Sequence, residues 1–175
     1  MVGDHAKAYA EALFAVTRVE DNHDRVEDEL FRFARALEGS EELQASLADP
    51  STPAARRQQI VEDLLGSAAD RTTVGIVSLL VSTGRSKDIP QIVDAFVERV
   101  AQQSGRRVAT VRSAVELTPD QQQRLAAALR SSVGSDVTIK VIVDPSVLGG
   151  IVTEIGDTVI DGSVRRRLHQ LREAF

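Results

Sequence analysis

The chain has 175 residues, which suits one domain of ordinary size or two small ones. Hydrophobic residues make up 42% and charged residues 27%, as in soluble globular proteins, and only 3% are aromatic, so the core must be mainly aliphatic. The lack of any cysteine excludes a disulfide framework, a thiolate metal site and a cysteine nucleophile, and it fits a reducing compartment.

Neither a membrane span nor a secretory signal is predicted. The longest apolar stretch surrounds residues 74–81 and is interrupted by Ser78, whereas a span needs roughly 20 apolar residues. The first residues include Asp4, His5 and Glu11 without a hydrophobic run, which is unlike a signal peptide. We therefore expect any membrane association to be indirect, through partner proteins.

Charge is distributed unevenly along the chain. Residues 1–104 contain 11 basic and 18 acidic side chains, whereas residues 105–175 contain 10 and 8. The difference predicts two modules with different partners. The negative charge argues against nucleic acid as the partner of the acidic half, because phosphate backbones require a positive field.

The first hundred residues predict a run of about six helices. Apolar residues recur at helical spacing in the first two. Ser40 is predicted to cap a short third helix, and Thr52 to cap a fourth with Pro53 at its first position. The apolar face of the fourth helix is predicted to consist of Ile60, Val61, Leu64 and Leu65. The fifth, around residues 74–81, is apolar on most sides, so it is either central or covered by a partner.

From residue 105 the pattern changes to strands. Residues 108–115 predict a strand, and Thr118 and Gln121 predict a capping box that opens a helix. Alternation at residues 137–143 predicts a second strand, and Gly156-Asp157 a hairpin between two more. The predicted fold is α+β, with an N-terminal six-helix bundle over 1–104 and a small C-terminal α/β domain over 105–175 that ends in a helix.

One segment near the C-terminus carries a recognisable motif. Residues 143–151 read VDPSVLGGI and residues 155–165 read IGDTVIDGSVR, with Leu168 as a further apolar position. This resembles the VDPxxxGGxxxxxGDxxxDGSxxxxL stretch of ATP synthase δ subunits, the family of the oligomycin-sensitivity-conferring protein. Weaker matches stand in the same order as in that family: YAEALF at 9–14, Asp49-Pro50, Gly84-Arg85 and VRSAVELT at 111–118. The resemblance covers essentially the whole chain.

The resemblance implies a stator subunit of a rotary F-type ATP synthase, without catalytic residues, cofactor or metal. In this family the N-terminal bundle binds the N-terminal helices of the α subunits, with the β subunits as a second candidate partner. The C-terminal domain binds the b subunits of the peripheral stalk. The implied location is the cytoplasmic face of the cell membrane, as a peripheral part of the complex, with the chain monomeric on its own.

The family binds the α-subunit helix in a groove between its first and fifth helices. The residues predicted to form this site are Tyr9, Ala12, Leu13, Ile76, Leu79 and Leu80. An apolar groove suits a partner helix, but apolar stripes usually face inward, so core packing is the alternative for each residue. The residues predicted to contact the b subunits are Val164, Arg165, Leu168 and Leu171.

The remaining motif residues are interpreted as turn and cap residues. They are Asp144, Pro145, Gly149, Gly150, Gly156, Asp157, Asp161, Gly162 and Ser163. Phosphate binding by the glycines is the alternative, but neither a GxGxxG nor a P-loop pattern is present. Acid–base or metal chemistry is the alternative for the aspartates, yet each adjoins Pro or Gly, where Asp favours local hydrogen bonds.

Two other classes of function remain open. A generic helical adaptor or regulatory module would explain the helices, and an enzyme would have to use the C-terminal aspartates. No two of His5, His23 and His169 have metal-ligand spacing. The run of arginines at 165–167 could contact acidic partner residues, phospholipid or nucleic acid, or form a solvated face. Three arginines without aromatic residues are too few to indicate nucleic acid.

Overall fold

The structure, a computed structural model, describes residues 3–66, 68–156 and 158–164. Within these ranges the chain forms seven α-helices, one short 3-10 helix and four strands, so the fold is α+β with a helical N-terminal region and a C-terminal α/β region. It divides into two compact units, Met1–Val100 and Ala101–Phe175. The boundary predicted from the sequence lies between residues 104 and 105.

Six α-helices precede the first strand in the described residues. Their bounds are α1 Asp4–Val19, α2 His23–Glu38, α3 Glu41–Ala48, α4 Ala54–Leu65, α5 Arg71–Ser82 and α6 Ile89–Gln103, with the 3-10 helix at Ser86–Asp88. The largest fully buried side chains come from α2, α3, α5 and α6 as well as from α4. Examples are Leu30, Leu47, Leu80, Phe96 and Val61. An aliphatic core therefore forms between the helices, as the composition requires.

Two predicted helix caps are confirmed. The Ser40 hydroxyl accepts a hydrogen bond from the Leu43 N–H at 3.2 Å at the start of α3. At the start of α7, the Thr118 hydroxyl accepts from the Gln121 N–H, and the Gln121 side chain accepts from the Thr118 N–H. Each cap satisfies N–H groups that have no partner within the helix, which explains why these helices begin where they do.

The predicted cap of α4 is wrong. The helix begins at Ala54, and Pro53 occupies the N-cap position without any side-chain bond. The Thr52 hydroxyl instead donates to Asp49 Oδ2 at 3.1 Å, and Asp49 also accepts the Ser51 N–H at 2.8 Å. The Thr52 hydroxyl is therefore bound to the Asp49 carboxylate in the preceding turn and does not cap the helix.

The predicted apolar face of α4 is also wrong at one position. Val61 is fully buried, Ile60 and Leu65 are half-buried, but Leu64 remains 54% exposed. Among the helix pairs, α4 packs its backbone most closely against α5. The buried face of α4 is therefore narrow. It contains Val61 but not Leu64.

The second unit is built on a four-stranded sheet in the order β2-β1-β3-β4. The elements are β1 Arg107–Ser113, α7 Pro119–Val133, β2 Val137–Val143, β3 Ile151–Ile155 and β4 Thr158–Asp161. Strands β1 and β2 are parallel and joined through α7, whereas β3 pairs antiparallel with both β1 and β4. A small core of Ala109, Leu129 and Ile155 joins α7 to one face of the sheet.

The glycines of the C-terminal motif bring two backbone segments into direct contact. The Gly162 N–H donates to the Ile151 carbonyl at 2.9 Å, and the Val164 N–H to the Gly149 carbonyl at 3.2 Å. Gly150 has φ +79, and a Cβ there would lie 2.5 Å from the Gly162 carbonyl oxygen. We call this contact between residues 149–151 and 162–164 the glycine clasp. It has no room for a side chain at Gly150.

Replacement of Gly150 by Ala should destabilise the second unit more than the same change at Gly156. Gly156 also has positive φ, +55, but a Cβ there would meet nothing within 4 Å. We expect Gly156→Ala to cost about 1–2 kcal/mol from backbone strain alone and Gly150→Ala about 3–4 kcal/mol, because overpacking adds to the strain. Urea unfolding of the full chain would measure both. Equal losses would contradict the steric role of the clasp.

Candidate functional site

The predicted contacts on α1 differ in their accessibility. Leu13 is buried, at 6% exposure, Tyr9 is half-buried and Ala12 is exposed. Leu13 therefore belongs to the floor beneath any partner helix on this surface. Ala12 remains available for direct contact, and Tyr9 in part.

Two exposed valines on α1 extend this surface and were missed from the sequence. Val16 is 49% and Val19 is 84% exposed. Val16 lies four residues after Ala12, and Val19 three further, so the three share one side of the helix. We call them the α1 stripe. Thr17 explains why they were missed. Its hydroxyl donates to the Leu13 carbonyl at 3.0 Å, which allows this polar residue to be buried. Thr17 therefore faces inward, while the neighbouring apolar Val16 faces outward.

The predicted contacts on α5 separate in the same way. Ile76 and Leu80 are buried, at 6% and 1% exposure, whereas Leu79 is 55% exposed. Gly75, one turn before Leu79, is also exposed and has open space beside its Cα. The accessible side of α5 thus presents one large apolar side chain above a floor of buried ones.

A group of polar side chains ties the α1–α2 turn to the start of α5. The Asn22 amide donates to Asp70 Oδ1 at 3.1 Å and to the Thr72 hydroxyl at 2.9 Å. Asp70 also caps α5 by accepting the Thr72 N–H at 2.9 Å. We call Asn22, Asp70 and Thr72 the polar clamp. It holds the C-terminal end of α1 near the N-terminal end of α5.

A buried carboxylate of α2 supports the same end of α5. Glu29 is 8% exposed and accepts the Thr73 hydroxyl at 2.6 Å, the Asp70 N–H at 2.8 Å and Arg25 Nε at 2.9 Å. Burial raises the pKa of Glu29, but the hydrogen bonds from Thr73, Arg25 and the Asp70 backbone outweigh it, so the net pKa lies below its ordinary value. The carboxylate is therefore charged at neutral pH.

The other ends of α1 and α5 also meet. Arg85, just after α5, bonds to Asp88 at 3.2 Å and interacts electrostatically with Tyr9 on α1. The pKa of Arg85 is raised first by the hydrogen bond to Asp88 and then by the interaction with Tyr9. With the polar clamp at the opposite end, these contacts make α1 and α5 antiparallel neighbours.

Ion pairs connect α6 to both α1 and α2. Arg99 Nε lies 2.6 Å from Glu11 Oε1, and its guanidinium stands 4.2 Å above the Phe14 ring. Arg35 of α2 binds Asp94 at 2.8 Å. Burial raises the pKa of Asp94, and Arg35 offsets only part of that rise. The Arg99 contacts with Glu11 and Phe14 fix α1 against α6 on the side away from its stripe.

The C-terminal motif residues make local turns where the structure describes them. Asp144 accepts the Ser146 N–H at 2.9 Å, and the hydrogen bonds from Ser146 lower its pKa. Asp161 accepts the Ser163 N–H at 2.9 Å, and Ser163 is buried. Pro145 is exposed in the turn after β2.

The predicted contacts with the b subunits fall mostly outside the described residues. Val164 is 47% exposed, and its N–H is bound within the glycine clasp. Asp157, Arg165, Leu168 and Leu171 lie outside the described residues, as does the rest of the arginine run. The stalk-side site therefore stays a prediction.

Across residues 3–66, 68–156 and 158–164, no three His, Asp or Glu side chains are arranged to hold a metal ion. In the same ranges, none of the helices combines the length and apolar character needed to cross a bilayer.

Comparison with known proteins identifies the family. The model of the ATP synthase delta (OSCP) subunit family matches residues 6–175, and the chain belongs to this family. The ATP synthase subunit delta of Streptomyces lividans is 42% identical over 145 residues, which cover 83% of this chain and 53% of the relative. That of Nocardia farcinica is 40% identical over 149 residues, which cover 85% and 55%. The chain thus spans about half the length of the curated relatives that it matches.

A solved structure shows the same fold. A chain of the Toxoplasma gondii mitochondrial ATP synthase hexamer, determined by cryo-EM, is similar with a TM-score of 0.59 at 24% identity. The similarity covers 97% of this chain and 96% of the other. The order of a helical region followed by an α/β region is therefore shared along nearly the whole length.

Removal of the Glu29 charge should destabilise the helical unit in a pH-dependent way. The folded pKa lies below 4.5, the ordinary value for glutamate in an unfolded chain. The carboxylate therefore contributes stability fully above that value and loses it as pH falls through the folded pKa. We expect Glu29→Gln to cost about 1–3 kcal/mol at pH 7 and less near pH 3.

Urea unfolding at both pH values would measure the effect of Glu29→Gln. Glu62→Gln is the control, because Glu62 is exposed on α4. It should change the free energy of unfolding by less than about 0.5 kcal/mol at either pH. The same pH dependence in both variants would contradict the proposed role of the buried carboxylate.

Proposed function

We propose that this chain is a non-catalytic stator subunit of an F-type ATP synthase, which links the catalytic α/β head to the peripheral stalk. The match of the family model over residues 6–175 is the observation that carries the proposal. Relatives named ATP synthase subunit delta, about 40% identical over most of this chain, support it. The proposed location is peripheral, at the cytoplasmic face of the membrane, as part of the complex.

The helical unit is the proposed contact with the head. In this proposal α1–α6 form the six-helix bundle, and an N-terminal helix of an α subunit lies between α1 and α5. The α1 stripe and Leu79 support this placement, because they expose apolar side chains on two helices that are antiparallel neighbours. Leu13, Ile76 and Leu80 form the floor. An amphipathic helix that fills an apolar groove is a common recognition mode.

The α/β unit is the proposed contact with the b subunits. Its net positive charge, against the net negative charge of residues 1–104, supports a division of partners between the two units. The proposed contacts are Val164, Arg165, Leu168 and Leu171. A stator of this kind performs no reaction. It must keep both contacts closed while the rotor exerts torque, which requires slow dissociation rather than chemistry.

Substitution of Leu79 should weaken binding to the head. The test measures the dissociation constant between the full chain and a peptide from the N-terminus of the cognate α subunit. Burial of a leucine contributes about 1.5–3 kcal/mol, so Leu79→Asp should weaken binding by at least tenfold. Leu64→Asp is a matched control, because Leu64 is a leucine of α4 with 54% exposure against 55% for Leu79.

The same experiment distinguishes the alternative class of protein. A generic adaptor that serves another system would not bind the α-subunit peptide at micromolar concentration. Equal losses for Leu79→Asp and Leu64→Asp would show that the peptide binds elsewhere on the helical unit.

Substitution of Leu171 should affect only the stalk contact. We expect Leu171→Asp to abolish binding to a soluble fragment of the cognate b subunits, while binding of the α-subunit peptide stays within twofold of the unsubstituted chain. Both affinities can be measured by calorimetry, with circular dichroism to check that the chain remains folded. Loss of both interactions in a folded chain would contradict the division of labour between the units.

A further inference from the structure

The polar clamp is placed so that it can control the partner site without being part of it. We propose that Asn22 is a positioning residue, which sets the spacing of α1 and α5 and thereby the affinity of the groove for a partner helix. The inference rests on the proposed function for the identity of the partner. Its physical basis is the set of hydrogen bonds that Asn22 makes to α5.

Asn22 gives up a favourable local role to make these bonds. It occupies the N-cap position of α2, where asparagine is among the preferred residues, yet its side chain makes no cap bond. Its amide instead reaches residues 48 and 50 positions further along the chain. The preceding Asp21 has φ +52, a conformation that non-glycine residues adopt uncommonly. Asp21 and Asn22 thus both depart from their preferred local conformation or bonding. We interpret this as a requirement for the turn to hold a fixed position relative to α5.

The start of α5 is held from two sides. Asn22 binds the side chains of Asp70 and Thr72, while Glu29 binds the Asp70 N–H and the Thr73 hydroxyl. Glu29 is buried, so its bonds act where water does not compete for them. Glu29 of α2 already holds the start of α5. Within the clamp, Asn22 is the member that comes from the α1–α2 turn, so its bonds are the ones that position the end of α1 relative to α5.

The spacing of α1 and α5 depends on such contacts more than on backbone packing. In the described residues, α5 packs its backbone most closely against α4, and α1 shares few close approaches with α5. Two polar contacts relate α1 to α5 in the described residues, the clamp at one end and the Tyr9–Arg85 contact at the other. If the clamp opens, Val19 and Val16 move relative to Gly75 and Leu79. A partner helix that spans the two helices then loses simultaneous contact with both.

Two variants weaken the clamp, and one control leaves it intact. Asn22→Ala removes both donors, and Thr72→Val removes one acceptor with almost no change of shape. Leu47→Val, in the buried core of α3, lowers stability without touching the clamp. We expect Asn22→Ala to weaken binding of the α-subunit peptide by about three- to tenfold and Thr72→Val by less. Leu47→Val should stay within twofold, at a temperature where every variant remains folded.

A second measurement follows the spacing directly. Because the chain has no cysteine, spin labels can be attached at Arg18→Cys on α1 and Arg71→Cys on α5, both exposed positions. The distance distribution between the labels should broaden or shift in Asn22→Ala and stay unchanged in Leu47→Val.

The two measurements separate the two hypotheses. If the unsubstituted chain does not bind the peptide, the proposed function fails, and the clamp is judged by the label distances alone. If Asn22→Ala leaves the distances unchanged, or weakens binding no more than Leu47→Val does, Asn22 is not a positioning residue.

Discussion

The buried carboxylate of Glu29 fixes the start of α5 within the helical unit. Glu29 is 8% exposed, and burial of its negative charge is costly unless hydrogen bonds replace those lost to water. Its three donors are Arg25 on α2 and, at the start of α5, the Asp70 N–H and the Thr73 hydroxyl. The cost of burying the charge is therefore offset only when α5 begins at Arg71, with Asp70 as its N-cap residue. These bonds thereby fix the position of α5 along its own axis. The placement of Leu79, and with it the proposed groove, depends on this register.

In the α/β unit, close backbone contacts rather than a buried charge hold two segments in position. In the glycine clasp two segments approach so closely that a hydrogen atom is the only side chain Gly150 can carry. The bonds of Gly162 and Val164 across the clasp hold the chain where it leaves β4. The glycines of the C-terminal motif are therefore explained by the backbone conformation that they allow, without any catalytic or ligand-binding role. The residues proposed to bind partners are ordinary aliphatic side chains, which explains why the motif reveals the family more readily than the interface.

The sequence predicts most of the fold and less of the site, for physical reasons. Helical periodicity and the Thr118–Gln121 box depend on neighbours within one turn, so they are legible from local sequence. The Thr52 cap failed because Asp49 competes for the same hydroxyl, and several favourable local bonds cannot be ranked from sequence. Val16 was overlooked because an inward Thr17 reverses the expected polarity of α1. Leu13 and Leu79 look alike in sequence, and only the tertiary arrangement leaves one buried and the other exposed.

The order of strands in the second unit has a consequence for synthesis on the ribosome. Strand β1 is central in the sheet, but both of its neighbours, β2 and β3, follow it in the chain. It therefore has no partner strand until β2 is complete at Val143, and its edge toward β3 stays unpaired until Ile155 has left the exit tunnel. The helices of the first unit, by contrast, gain contacts with helices already made. Strand β1 contains Val108, Ala109 and Val111, and it is exposed to nascent-chain association during that interval. We expect the helical unit to fold first and the emerging sheet to be the segment that chaperones protect.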